Sequence, residues 1–293
     1  MRITFDNRIA IVTGAARGLG RAYAFALAGR GAHVVLADLG TDAAIVAEEI
    51  RHAGGSAEAH PVDVTDFDQV MRLVARVLDA RGRVDIAICN AGNLRDRTFA
   101  KMTLEDFRAV IEVHLLGSVH LCKAVWPAMR EQGRGRIVLT TSSSGMYGIF
   151  GQANYAAAKA AMLGLMNVLH LEGARHDIRV NCIMPSAATR MTEGLLGADA
   201  ARLLTADAVA PGVLFLVGDD APSRVILSAG AGSFARVHVM ETEGISLPPG
   251  DLTPEAVAAH FAAISDTAGM RTLEDGFAQA RKLTAAAQRL RPD

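Results

Sequence analysis

Short β-branched runs alternate with longer amphipathic segments along most of this chain, and no other feature constrains its fold as tightly. RIAIVTG precedes GLGRAYAFALAGRG, AHVVLAD precedes DAAIVAEEIRHAGG, and AEAHPVD precedes FDQVMRLVARVLDARG. Strands separated by helices pair in parallel, and the helices cover both faces of the sheet. The pattern continues through VDIAICN, a long helix near Leu104 to Arg130, GRIVLTTSS, a helix from about Ala153 to His176, IRVNCIMP, a helix near Ala206 to Val217, and RVILSAG. The expectation is a seven-stranded parallel sheet in a single doubly wound α/β Rossmann domain over residues 1–232. Residues 233–293 break the alternation. Pro248-Pro249-Gly250 is followed by Thr253, a cap residue before Pro254, which predicts a C-terminal helical extension completing the substrate site or an oligomer interface. Its helices are expected near Thr253 to Ser265 and Leu273 to Leu290, with Val257, Phe261 and Ile264 at helical spacing.

A chain of 293 residues, 51% hydrophobic, can bury a sizeable core. Thirty basic residues against thirty-one acidic ones, with no Lys/Arg run, argue against a partner held mainly through phosphate charge. Neither nucleic acid nor a membrane is expected as a partner. Cys89, Cys122 and Cys182 lie in apolar stretches without CxxC spacing, so neither a disulfide framework nor a zinc site is indicated. With no apolar leader segment, a cytoplasmic location is expected. Only four of the basic residues are lysines, which together with abundant Ala suggests a bacterial, GC-rich genome.

Between the first strand and first helix lies TGAARGLG, carrying Gly14, Arg17, Gly18, Leu19 and Gly20. A sharp turn there brings backbone N–H groups to the positive end of a helix, where side chains would obstruct a pyrophosphate. Asp38 ends the second strand at the offset where a carboxylate accepts hydrogen bonds from adenosine ribose hydroxyls. It would repel a 2′-phosphate, which favours NAD as the cofactor, although Arg17 is a cation that could receive one. Asp63 and Val64 after the third strand, and Asn90, Ala91 and Gly92 after the fourth, face the same edge of the sheet. Together they form a floor for a dinucleotide.

The stretch TTSSSGMYGIFGQANYAAAK contains Tyr155-x-x-x-Lys159. Four helical residues span about 6 Å on nearly one face, so the lysine can approach both the phenol and a ribose. A fixed cation there is expected to lower the phenol pKa, making Tyr155 a base at neutral pH. A serine at the end of the fifth strand would hold the substrate oxygen, and alternation leaves Ser142, Ser143 and Ser144 open.

These motifs resemble the short-chain dehydrogenase/reductase family over about the first 230 residues. More narrowly, NAGNLRDRTFAKM, SGMYGIFGQANYAAAK and LTPEAV resemble the family's multifunctional-enzyme branch. Dehydrogenase parts of that branch oxidise (3R)-hydroxyacyl-CoA thioesters and 17β-hydroxysteroids with NAD. The resemblance implies catalytic Ser142, the base Tyr155 and the supporting Lys159, which also hold cofactor. It implies carboxamide contacts from Pro185, Ala187, Ala188 and Thr189, and it puts His114 where the wider family has a relay Asn. The expected partner is a bulky lipid-like alcohol or ketone, and the expected assembly a homodimer or homotetramer. A stand-alone dehydrogenase is expected, since no hydratase or sterol-carrier segment follows; the alternatives are a ketone reductase and a non-catalytic dinucleotide sensor.

Overall fold

The structure, a computed structural model, describes residues 2–188 and 197–290. Its sheet has eight strands, in the order β3-β2-β1-β4-β5-β6-β7-β8. These are β1 (Ile9–Thr13), β2 (His33–Asp38), β3 (Ser56–Pro61), β4 (Ile86–Cys89), β5 (Gly135–Thr140), β6 (Ile178–Pro185), β7 (Ile226–Gly230) and β8 (Ser233–Val237). β1 pairs in parallel with both β2 and β4, and β5, β6 and β7 continue the parallel run outward from β4. Strands β1, β4 and β5 are buried at every position, which is why their sequences read as unbroken apolar runs.

The seven expected strands are therefore one short. The eighth falls in the segment assigned to the helical extension, at SFARV. Ala231 and Gly232 both take left-handed backbone angles, φ 50° and 73°. Two such residues make the tight turn that returns a chain antiparallel to the strand before it. β8 is an edge strand whose side chains are mostly exposed, so it carries no apolar run that a sequence pattern detects.

Helices α1 (Gly18–Ala28), α2 (Asp42–His52) and α3 (Phe67–Arg81) connect the first strands. Between β4 and β5 a single helical rod runs from α4 (Leu104–Ile111) through one π-helical stretch, Glu112–Leu116, into α5 (Gly117–Gln132). By length and composition this rod is apolar enough to cross a membrane. Here it is a core helix, with Val110, Leu121, Val125 and Met129 buried. After β5 come α6 (Ser143–Tyr147) and α7 (Ala153–Gly173), and between β6 and β7 lie α8 (Ala198–Leu203) and α9 (Ala210–Val217).

The chain divides into two compact units, one reaching Arg236 and one starting at Val237. The second holds α10 (Pro254–Ala259), α11 (Phe261–Ile264) and α12 (Gly276–Gln288). The expected helix Thr253 to Ser265 thus breaks at His260. None of this unit's described side chains is buried. Polar ties hold it: Lys282 donates to Glu241 and Thr242, and Glu241 bridges to Arg271.

At the N-terminal edge of the sheet in the first unit, Arg136 is a fully buried guanidinium. It donates to the carbonyls of Gly218, Gly135, Asp177 and Asp219 and to the Asp177 carboxylate. A charge so buried persists only because every donor finds an oxygen.

Candidate active site

The strand order reverses between β1 and β4, so the chains leaving these strands diverge and open a crevice at their carboxyl ends. Gly14 and Gly18 adopt left-handed backbone, φ 64° and 54°. A Cβ on Gly14 would lie 2.8 Å from the Ala91 Cα, and one on Gly20 would lie 2.1 Å from the Gly14 carbonyl oxygen. The glycine loop and the Asn90-Ala91-Gly92 turn therefore pack backbone on backbone. Asn90 fastens them, its side-chain amide donating to the carbonyls of Thr13 and Gly14, both at 3.1 Å. Thr13 Oγ1 accepts from the N–H groups of Asn90 and Ala91.

Helix α1 starts from Arg17 with no side-chain cap, so the N–H groups of its first turn are left for an anion. Arg17 turns toward Asp42, 3.7 Å away across the surface. Asp38 is partly exposed and its carboxylate accepts from the backbone N–H of Ala16 and of Leu39, both at 2.9 Å. Each oxygen retains a lone pair for a hydroxyl. An uncapped helix start, glycines with no room for side chains and a fixed carboxylate together fit a dinucleotide.

Asp63 and Val64 lie just beyond β3, which ends at Pro61. The Asp63 carboxylate is engaged by the N–H and hydroxyl of Thr65, and the buried Val64 offers its carbonyl to His120. Pro185 closes β6, Ala187 is buried, and the Ala188 N–H donates to the Leu204 carbonyl. Thr189 lies outside the described residues.

Ser142 caps α6 instead of ending β5. Of the three serines it is the one whose hydroxyl acts on the Tyr155 phenol, favouring its ionised form. Lys159 is buried on the same helix as Tyr155; its ammonium lies 5.6 Å from the phenol ring centroid and donates to the Thr140 carbonyl at 2.6 Å. The spacing predicts a phenol lowered by this lysine, and the structure corrects it. Burial pushes the Tyr155 pKa up, the Ser142 hydroxyl opposes the rise, and the Asp96 charge adds to it. Burial also pulls Lys159 down to about 7, so its own charge is only half maintained at neutral pH.

His114 sits in the π-helical stretch, buried, with its ring edge-on to Tyr155 at 5.1 Å between centroids. Its Nε2 is 2.8 Å from the Asn93 carbonyl oxygen and 3.1 Å from the Asn93 N–H, while Nδ1 is buried without a partner. Burial and the nearby Lys159 lower its pKa to about 3, so the ring is neutral. From this π turn the ring packs against Gly92, where any Cβ would lie 2.3 Å from Cε1.

Asn154 carries no signal in the sequence. It is fully buried, accepts from the Tyr155 N–H at 2.8 Å and donates to the carbonyl of Arg95. Gln152 donates to Asp96 at 2.7 Å. Both tie the segment after Gly92 to the start of α7, a pairing between residues more than fifty positions apart that local pattern cannot reveal.

Residues 8–198 match the short chain dehydrogenase family model. The chain is 42% identical over 279 residues to a short-chain type dehydrogenase/reductase of Mycobacterium tuberculosis, covering 91% of this chain and 96% of that one. It is 41% identical over 280 residues to the peroxisomal multifunctional enzyme type 2 of Mus musculus, covering 90% of this chain and 37% of that enzyme. The full-length peroxisomal multifunctional enzyme type 2 from Drosophila melanogaster superimposes with a TM-score of 0.84 at 35% identity, over 99% of this chain and 51% of that one. The chain thus spans about a third to a half of the multifunctional relatives' length.

Proposed function

Because this chain belongs to the short chain dehydrogenase family, an oxidoreductase family that uses a nicotinamide dinucleotide, we propose that it oxidises a secondary alcohol on a lipid-like substrate with NAD. The favoured alcohols are a (3R)-hydroxyacyl-CoA thioester or a 17β-hydroxysteroid, in keeping with the multifunctional relatives. The observation that carries this reading is the Ser142, Tyr155 and Lys159 cluster at the same carboxyl edge of the sheet as the uncapped start of α1.

In this reading the first-turn N–H groups of α1 and Gly14, Gly18 and Gly20 hold the pyrophosphate, and Asp38 holds the adenosine ribose. Asp63 and Val64 border the adenine. Lys159 holds the second ribose, and Pro185, Ala187, Ala188 and Thr189 meet the carboxamide. When bound, the nicotinamide supplies the hydride acceptor. The chain's own residues handle the proton. Ser142 orients the alcohol oxygen, and Tyr155 takes its proton. Dinucleotide hydroxyls on Lys159 would supply acceptors for its ammonium, favouring the charged form and with it the phenolate. His114, neutral and edge-on, packs against the Tyr155 ring, and its buried Nδ1 is left to accept a hydrogen bond. The assembly expected is a cytoplasmic homodimer, or a tetramer built from it.

The test is initial-rate NADH formation with a 3-hydroxyacyl-CoA and with a 17β-hydroxysteroid, on the wild type and on Tyr155→Phe. Turnover of at least one, abolished by the substitution, is expected. No turnover of either, or turnover that survives without the phenol hydroxyl, would refute the assignment.

A further inference from the structure

We propose that His120 is a positioning residue for the dinucleotide: it ties the loop that borders the adenine, residues 63–66, to α5, and so sets how sharply the chain tells adenine from another purine base. The proposal rests on the NAD reading above and adds a residue that makes none of the contacts given there.

This loop stands at the edge of the sheet. β3 is the end strand, and just past it the Val62 N–H donates to the Asp38 carbonyl at 2.8 Å. Beyond Val62 the loop is held by the helix that follows it: the Asp63 N–H donates to the Gln69 side-chain carbonyl at 3.1 Å, and Asp66 caps α3. A strand paired on one side only holds such a loop weakly. Among the described residues, one hydrogen bond joins residues 63–66 to an element other than α3. His120, on α5, donates from Nδ1 to the Val64 carbonyl at 2.8 Å. A carbonyl only accepts, so Nδ1 carries the proton.

The packing around this bond agrees with it. One helical turn before His120 lies Gly117, where a Cβ would stand 2.7 Å from the Val64 Cγ2, so α5 meets Val64 at two successive turns. The imidazole also packs on Phe67, the first residue of α3, with ring centroids 5.3 Å apart. His120 thus holds Val64 from α5 while Gln69 holds Asp63 from α3. Val64 is 7% exposed, and its N–H donates to none of the described residues. A donor left over between anchored neighbours suits a ring nitrogen of the base. Adenine presents a bare nitrogen beside its amine, whereas hypoxanthine presents a protonated nitrogen beside a carbonyl. A donor held in place rejects the second base, and a donor free to turn away does not.

The experiment is titration calorimetry on the full chain with NAD and with nicotinamide hypoxanthine dinucleotide, which differs from NAD only at that edge of the base. The wild type should bind NAD at least about tenfold more tightly than the hypoxanthine form. His120→Phe keeps a ring against Phe67 but has no donor; it should weaken NAD at least about fivefold and cut the preference to about twofold or less. His120→Asn, whose amide N–H stands where Nδ1 does, should restore both to within about twofold of the wild type. General loosening of the fold would weaken both dinucleotides together and leave their ratio unchanged. Thermal melts check folding, and His120→Leu takes the place of the Phe variant if that one is unfolded. A preference that survives loss of the donor, an Asn variant that behaves like the Phe variant, or a wild type indifferent to the base overturns the proposal. No saturable NAD binding by the wild type removes the dinucleotide reading and this inference together. Neither result depends on turnover, so a failure of the alcohol chemistry is seen separately.

Discussion

Replacing Lys159 by Met should make the protein more stable near neutral pH while ending its activity. The lysine is 3% exposed, and burial brings its pKa from an ordinary 10.5 to about 7. A fall of that size corresponds to about 4 to 5 kcal/mol of folding free energy lost to keeping the group in the interior. Methionine has similar length and no charge to desolvate. Against that gain, the Thr140 carbonyl loses its donor, a cost of about 1 to 3 kcal/mol for a buried unpaired oxygen. The expected net change is a stabilisation of about 1 to 3 kcal/mol at pH 7 and below. Its pH dependence is more diagnostic than its size. The folded pKa lies below the unfolded one, so between about pH 7 and 10.5 the unfolded chain binds more protons and wild-type stability rises with pH. Below pH 7 both states carry the charge and the difference is constant. The advantage of Lys159→Met should therefore shrink steadily from pH 7 to 10. Burial raises the Tyr155 phenol and the Cys89 and Cys182 thiols, and losing the Lys159 charge raises the thiols further, so these groups add little to the comparison below pH 9.5. Urea unfolding of both proteins at pH 6.5, 8 and 9.5 measures it. A variant less stable than wild type at pH 6.5, or a difference that ignores pH, would refute the argument that burial has depressed this amine.

Because the Asp38 carboxylate is fixed by two backbone N–H groups, it cannot withdraw from a 2′-phosphate, and kcat/KM for NAD should exceed that for NADP at least about tenfold; equal values would count against the ribose assignment. Tyr155→Phe should leave NAD affinity intact in a calorimetric titration and lower turnover at least about a hundredfold. With the Tyr155 phenol pushed up, alcohol oxidation at low NAD should rise with pH into the alkaline range, and Ser142→Ala, which removes the hydroxyl that favours the phenolate, should move that rise to higher pH; a profile flat above neutrality contradicts this. Arg136→Met removes five hydrogen bonds made by a buried guanidinium and should cost about 1 to 3 kcal/mol in urea unfolding, with Lys at the same position recovering only part.

The amino-acid sequence alone determined what depends on neighbours along the chain. Strand and helix periodicity repeat every few residues, so the parallel α/β order was legible from β1 to β7. The glycine loop was legible because a left-handed turn before a helix demands residues without side chains at Gly14 and Gly18. Tyr155 and Lys159 declared themselves because four residues on a helix are one turn. Tertiary structure alone decided properties that depend on what surrounds a group. A lysine four residues from a tyrosine reads as a cation lowering a phenol, yet burial raises the phenol and pulls the lysine down to about 7. Alternation left Ser142, Ser143 and Ser144 open, and only the resemblance chose Ser142; the fold adds that Ser142 caps the short helix after β5 and that its hydroxyl favours the Tyr155 phenolate. β8 escaped detection because an exposed edge strand is held by hydrogen bonds to its neighbour and needs no apolar pattern. The π turn at His114 and the ties of Asn154 and Gln152 to residues 95–96 join positions far apart in sequence, and only the packed fold sets the distances that give those side chains their partners.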